Sequence, residues 1–82
     1  MAEKYSIDIL RDKNPANLSA DNRSPLGVDT SKWEIEPTVG AVLEINFALD
    51  DQQVGIVHYQ IVKIESGVPG KLILCEIARG NG

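Results

Sequence analysis

Cysteine, histidine, methionine, tryptophan and phenylalanine each occur once in these 82 residues, and each scarcity removes a class of chemistry. Cys75 alone cannot form an internal disulfide, so it neither needs nor indicates an oxidising compartment. A site built from nitrogen and sulfur normally takes three or four converging ligands. His58 and Cys75 cannot supply them, and no metal is expected. There is no run of about 18 apolar residues that would span a bilayer. The opening Met1-Ala2-Glu3-Lys4 lacks the apolar stretch of a secretion signal. The expectation is a soluble, cytoplasmic chain without a membrane role.

A block of like charge is missing too. Eight Lys and Arg against twelve Asp and Glu leave a formal charge of −4 and a pI near 4.7, whereas nucleic-acid binding rests on cations clustered over phosphates. Arg11, Lys13, Arg23 and Lys32 fall in the N-terminal part but are interleaved with Asp12, Asp21 and Asp29. That is a solvated mixed surface, and no nucleic-acid partner is expected.

Catalytic motifs are equally scarce. No Gly-x-Ser-x-Gly, no Gly-x-x-x-x-Gly-Lys and no Gly-x-Gly-x-x-Gly occurs. Ser24 merely precedes Pro25. Asp50 and Asp51 sit in a tight turn and act as turn formers. Glu34 and Glu36 share a face beside Trp33; that is a solvated strand face or, at most, the wall of a shallow groove. The chain is therefore expected not to be an enzyme and to hold no cofactor, the one exception being a site completed across a dimer interface.

What is present is β patterning. Some 43% of the residues are hydrophobic, enough for one small core, and residues 1–82 are taken as a single β domain. Residues 4–11 alternate Tyr5, Ile7 and Ile9 with Ser6 and Asp8, a first strand. Residues 12–32 carry Pro15, Pro25 and Gly27 among many Asn, Asp and Ser, a long loop-rich segment pinned by Leu18, Leu26 and Val28. Asn14 before Pro15 makes room for one short helical turn near residues 15–20. Trp33 to Glu36, stopped by Pro37, reads as a short edge strand. Residues 39–79 read as a three-stranded antiparallel meander, turning at Asp50–Gln53 and at Ser66–Gly70. The fold expected is mainly β: about five strands in a strongly bent antiparallel sheet or a small SH3-like open barrel. The SH3 likeness is one of size and strand count only.

Closing the hairpins so that Leu49 faces Val54 and Glu65 faces Lys71 assigns the side chains to two faces. One collects Leu43, Ile45, Phe47, Leu49, Val54, Ile56, His58, Val62, Ile64, Leu72, Leu74 and Ala78. The other has a polar margin but an apolar centre of Val57, Tyr59, Ile61, Ile73, Cys75 and Ile77, with His58 and Cys75 falling on opposite faces. Both faces are greasy, so a further layer has to shield the second. Barrel closure with bends at Gly40 and Gly55, an N-terminal segment folded across, and a docked second copy are the candidates, in the order barrel, second copy, segment.

Trp33, Val57, Tyr59, Ile61, Ile73 and Ile77 are then the candidate partner-binding residues. The function expected is a non-catalytic protein–protein interaction or self-association module, with a homodimer as one outcome. The alternative is a small-molecule carrier or sensor with a pocket inside the barrel and His58 and Gln60 as polar handles.

Overall fold

The computed structural model describes residues 4–34, 36–48 and 50–77. Its strands are β1 (Tyr5–Leu10), β2 (Arg23–Leu26), β3 (Val42–Ala48), β4 (Val54–Glu65) and β5 (Gly70–Glu76), with a single 3₁₀ turn at Ala20–Asn22. They form one five-stranded sheet in the order β2-β1-β5-β4-β3. The mainly β, five-stranded expectation holds, with two corrections. The sheet is mixed, because β1 runs parallel to β5 while every other pair is antiparallel. It is also open: β2 and β3 are its two edges and do not meet.

The second strand is not where the alternation of residues 33–36 places it. Trp33, Glu34 and Glu36 lie outside any strand, and Ile35 lies outside the described residues. The edge strand is Arg23–Leu26, which contains Pro25. Proline lacks the N–H a central strand must donate, but an edge strand has one side with no neighbour to receive it. The short helical turn lies at Ala20–Asn22 rather than near 15–20, because side chains close the preceding residues into turns of another kind. Asn14 Oδ1 accepts the Ala16 N–H at 3.0 Å and Asn17 Oδ1 accepts the Ser19 N–H at 3.4 Å.

The β3–β4 hairpin is one residue longer at its turn than the polar Asp50–Gln53 stretch suggests. Ala48, not Leu49, faces Val54, and Leu49 itself lies outside the described residues. Asp50 Oδ1 accepts the N–H groups of Gln52 and Gln53, both at 2.8 Å, which organises the wider turn. A one-residue slip moves every side chain of a strand to the other face. Val57, Tyr59 and Ile61 therefore join Leu43, Ile45 and Phe47, while Val54, Ile56 and His58 turn away. The Glu65–Lys71 pairing holds as expected. It is reconciled with the slip by a bulge between Ile61 and Lys63, which flips the alternation so that Ile64 rejoins the main core. The irregularity in β4 lies there and not at Gly55, which pairs in register with Phe47.

Both faces of the sheet are shielded over its central strands, and irregular chain does it. Ile7, Ile45, Tyr59, Ile61, Leu72 and Leu74 form the main core, and Leu26, Val28 and Trp33 pack onto it. The connection between the edge strands β2 and β3 supplies Val28, Trp33 and Ala41 to this core, and its fully buried Thr30 bonds to Tyr5. On the opposite face Leu10, Ile73 and Cys75 form a smaller core, covered by Leu18 from the 11–22 loop. Of the three coverings considered, the N-terminal segment supplies this one and barrel closure does not occur. Full burial of a side chain such as Ile61, Leu72 or Ile73 contributes about 1.5–3 kcal/mol.

Candidate functional site

The two edges of the sheet are protected unequally. An edge strand presents unpaired N–H and C=O groups, and proteins blunt such edges with short strands, proline and charge. β2 has four residues, includes Pro25, and begins with Arg23, whose guanidinium bonds the Leu18 carbonyl and pairs with Glu65 at 3.3 Å. β3 has seven residues and no proline.

Which β3 groups face outward follows from the ladder. The Ile61 N–H donates to the Ala41 carbonyl and the Gly40 N–H to the Ile61 carbonyl, while the Ile77 N–H donates to the His58 carbonyl. Odd-numbered residues of this part of β4 thus point their main chain toward β3 and even-numbered ones toward β5. Antiparallel ladders alternate in this way. The main-chain groups of Leu43, Ile45 and Phe47 consequently point inward to β4, and those of Val42, Glu44, Asn46 and Ala48 point away from the sheet. Among the described residues nothing bonds to them.

The side chains beside this edge are unusual for a solvated surface. The 11–22 loop covers the smaller core but does not extend over β3 and the first half of β4. On that uncovered part Val42, Val54 and Ile56 are 54%, 64% and 56% exposed. Between them His58 Nε2 lies 3.1 Å from Glu44 Oε1. Around the edge, on the main-core face, Trp33, Leu43 and Ile45 line a shallow apolar depression of about 280 Å³ with Glu34 and Glu44 at its rim.

The expected partner-binding residues are dispersed by this architecture. Tyr59 and Ile61 lie in the main core at 5% and 0% exposure, with half-buried Val57 packed against it, and Ile73 is fully buried in the smaller core on the other face. They are committed within the chain. Ile77 is half-buried at the end of β5. Trp33 keeps a partly exposed position and lines the depression. The exposed trio Val42, Val54 and Ile56 escapes a reading from sequence because the longer turn decides its face. The turn length was the missing signal.

The possible chemistry elsewhere is limited. The slip also places His58 and Cys75 on the same face, since Cys75 pairs with Gln60 and Ile77 bonds beside His58. They do not form a dyad: His58 is engaged with Glu44, and burial, helped by Asp12 and Glu76, pushes the Cys75 thiol up and away from the nucleophilic thiolate. Glu34 and Glu36 border an open depression of about 530 Å³ with Lys4, Tyr5, Ile64, Glu65 and Gly70. Glu65 there is held ionised by hydrogen bonds from Arg23, so it is no candidate general acid. Among the described residues no three His, Cys, Asp or Glu side chains gather as a metal site, and no helix is long and apolar enough to cross a membrane. Compared with described protein families, curated proteins and solved structures, the chain matches none.

Proposed function

We propose that the protein is a non-catalytic interaction module that takes an extended protein strand onto the free edge of β3. The observation that carries this reading is the pairing of an unblunted seven-residue edge with apolar side chains on both of its sides. Strand addition gains its affinity from main-chain hydrogen bonds and its selectivity from pockets that receive alternate side chains. Val42, Glu44, Asn46 and Ala48 supply the hydrogen bonds. The Trp33–Leu43–Ile45 depression and the Val54–Ile56 surface receive side chains on either face. A carrier with its pocket inside a barrel has no barrel to use here.

Asn46→Pro tests the reading, because it removes an outward N–H and leaves the β3–β4 ladder intact. A displayed random-peptide library panned on the wild type is expected to yield extended apolar peptides. Their binding should shift the amide resonances of Val42, Glu44 and Asn46 and vanish in Asn46→Pro. Peptides that bind both proteins equally, or no enrichment at all, would sink the idea.

A further inference from the structure

We infer that the strand received by β3 is β3 of a second copy, antiparallel and centred on Ile45. This rests on the strand-addition reading above and adds the identity and register of the partner. A two-fold axis restricts the choices sharply. Hydrogen-bonded partners must be outward-facing residues on both strands, so Val42, Glu44, Asn46 and Ala48 can pair only with one another. Centring on Glu44 would set two carboxylates directly opposite, which is unfavourable. Centring on Asn46 leaves Val42 beyond the end of the partner strand. Centring on Ile45 uses all four outward residues: Val42 meets Ala48, and Glu44 meets Asn46, in both directions.

The side chains fit this one register on each face. The Asn46 carboxamide can donate to the Glu44 carboxylate across the axis. The two Glu44 side chains stand diagonal to each other, each held by its own His58 at 3.1 Å. Val42 of one copy pairs with Ala48 of the other, whose register partner is the exposed Val54, so the exposed Val42 and Val54 come to share one surface. On the main-core face Phe47 of one copy comes opposite Leu43 of the other, at the apolar depression that Leu43 lines with Trp33 and Ile45. A single operation supplies occupants for the free edge, the exposed valines and the depression, and the two sheets become one continuous sheet.

An edge contact of this kind lies at the small end of protein interfaces, so the dimer is read by sedimentation over about 1 μM to 1 mM. Wild type is expected to show a reversible monomer–dimer equilibrium. Asn46→Glu puts carboxylates face to face twice and should weaken it about tenfold or more, while Glu44→Lys combined with Asn46→Glu should restore it to within about threefold. A second measurement is independent of charge. Separately prepared Glu44→Cys and Asn46→Cys chains, mixed in a glutathione buffer, should give chiefly the mixed disulfide, since those positions face each other within bridging distance. Circular dichroism confirms that each variant is folded. A wild type that stays monomeric throughout, while library peptides still bind at β3, overturns the second copy and leaves strand addition standing. A dimer indifferent to Asn46→Pro and Asn46→Glu overturns both. Predominant Glu44→Cys self-disulfide overturns the register.

Discussion

The Thr30 hydroxyl accepts the Tyr5 N–H at 2.9 Å and donates to the Tyr5 carbonyl at 2.8 Å, so one side chain stands in for a strand neighbour. Tyr5 lies beyond the last β1–β2 pair, Ile7–Leu26. Without Thr30 its main-chain groups on that side would be left without a partner. Thr30→Val keeps the shape and removes both bonds. It is expected to cost about 2–4 kcal/mol and to lower the melting midpoint by about 10 °C or more. Thr30→Ser keeps both bonds and should cost only about 1 kcal/mol for its missing methyl. Equal losses in the two variants would refute a hydrogen-bonding role.

Leu18 reaches its place over Leu10, Ile73 and Cys75 because a polar knot shapes the 11–22 loop. Buried Asn22 donates to Asp12 Oδ1 and to the Asn17 carbonyl, and its own Oδ1 accepts the Asp12 N–H. Leu18→Ala and Asn22→Ala should each expose the Cys75 thiol. The rate of its reaction with a disulfide reagent under native conditions is expected to rise several-fold above wild type, and an unchanged rate would show that the loop is not the cover.

The same knot predicts how the protein responds to acid. Hydrogen bonds from Asn17, Asn14 and Asn22 hold the Asp12 carboxyl below its usual range, and those from Arg23 do the same for Glu65. A carboxyl whose folded value is depressed adds stability that is present above the unfolded value, near pH 4, and is lost as the pH falls through the folded one. Urea midpoints should therefore decline below about pH 4. The decline should be shallower in Asp12→Asn and in Glu65→Gln than in wild type.

Gly40 adopts φ +96° and donates its N–H to the Ile61 carbonyl at the entrance to β3. A side chain there meets no neighbour, so Gly40→Ala tests conformation alone. It should cost about 1–2 kcal/mol. Gly27→Ala, also in open space but without positive φ, should be close to neutral by chemical denaturation.

Much of this fold is legible in the residues themselves. Alternation locates β1 and β4 closely, and Ser66–Gly70 fixes the β4–β5 hairpin, because there the turn residues and the apolar pattern agree. At Asp50–Gln53 they do not, since one more residue in the turn exchanges the faces of β4, and an apolar set on both faces gives no warning of it. Pro25 hides β2, because a residue that excludes a central strand is tolerated on an edge. Trp33 to Glu36 alternates like a strand, but its described residues Trp33, Glu34 and Glu36 join none, the tryptophan being drawn onto the main core. The parallel β1–β5 contact depends on pairing across most of the chain, which local patterns do not encode. The β3 edge was legible as a strand. Its freedom was not, since that depends on which strands end up outermost.

Within this sheet the first strand in chain order, β1, lies beside the last, β5. Until β5 has left the ribosome, β1 has only the four-residue β2 to hold, and Ile7 and Leu10 have no Leu72 or Ile73 to rest against. Stable structure in this sheet therefore awaits β5, and closing so distant a contact makes folding slow relative to helical proteins of this length.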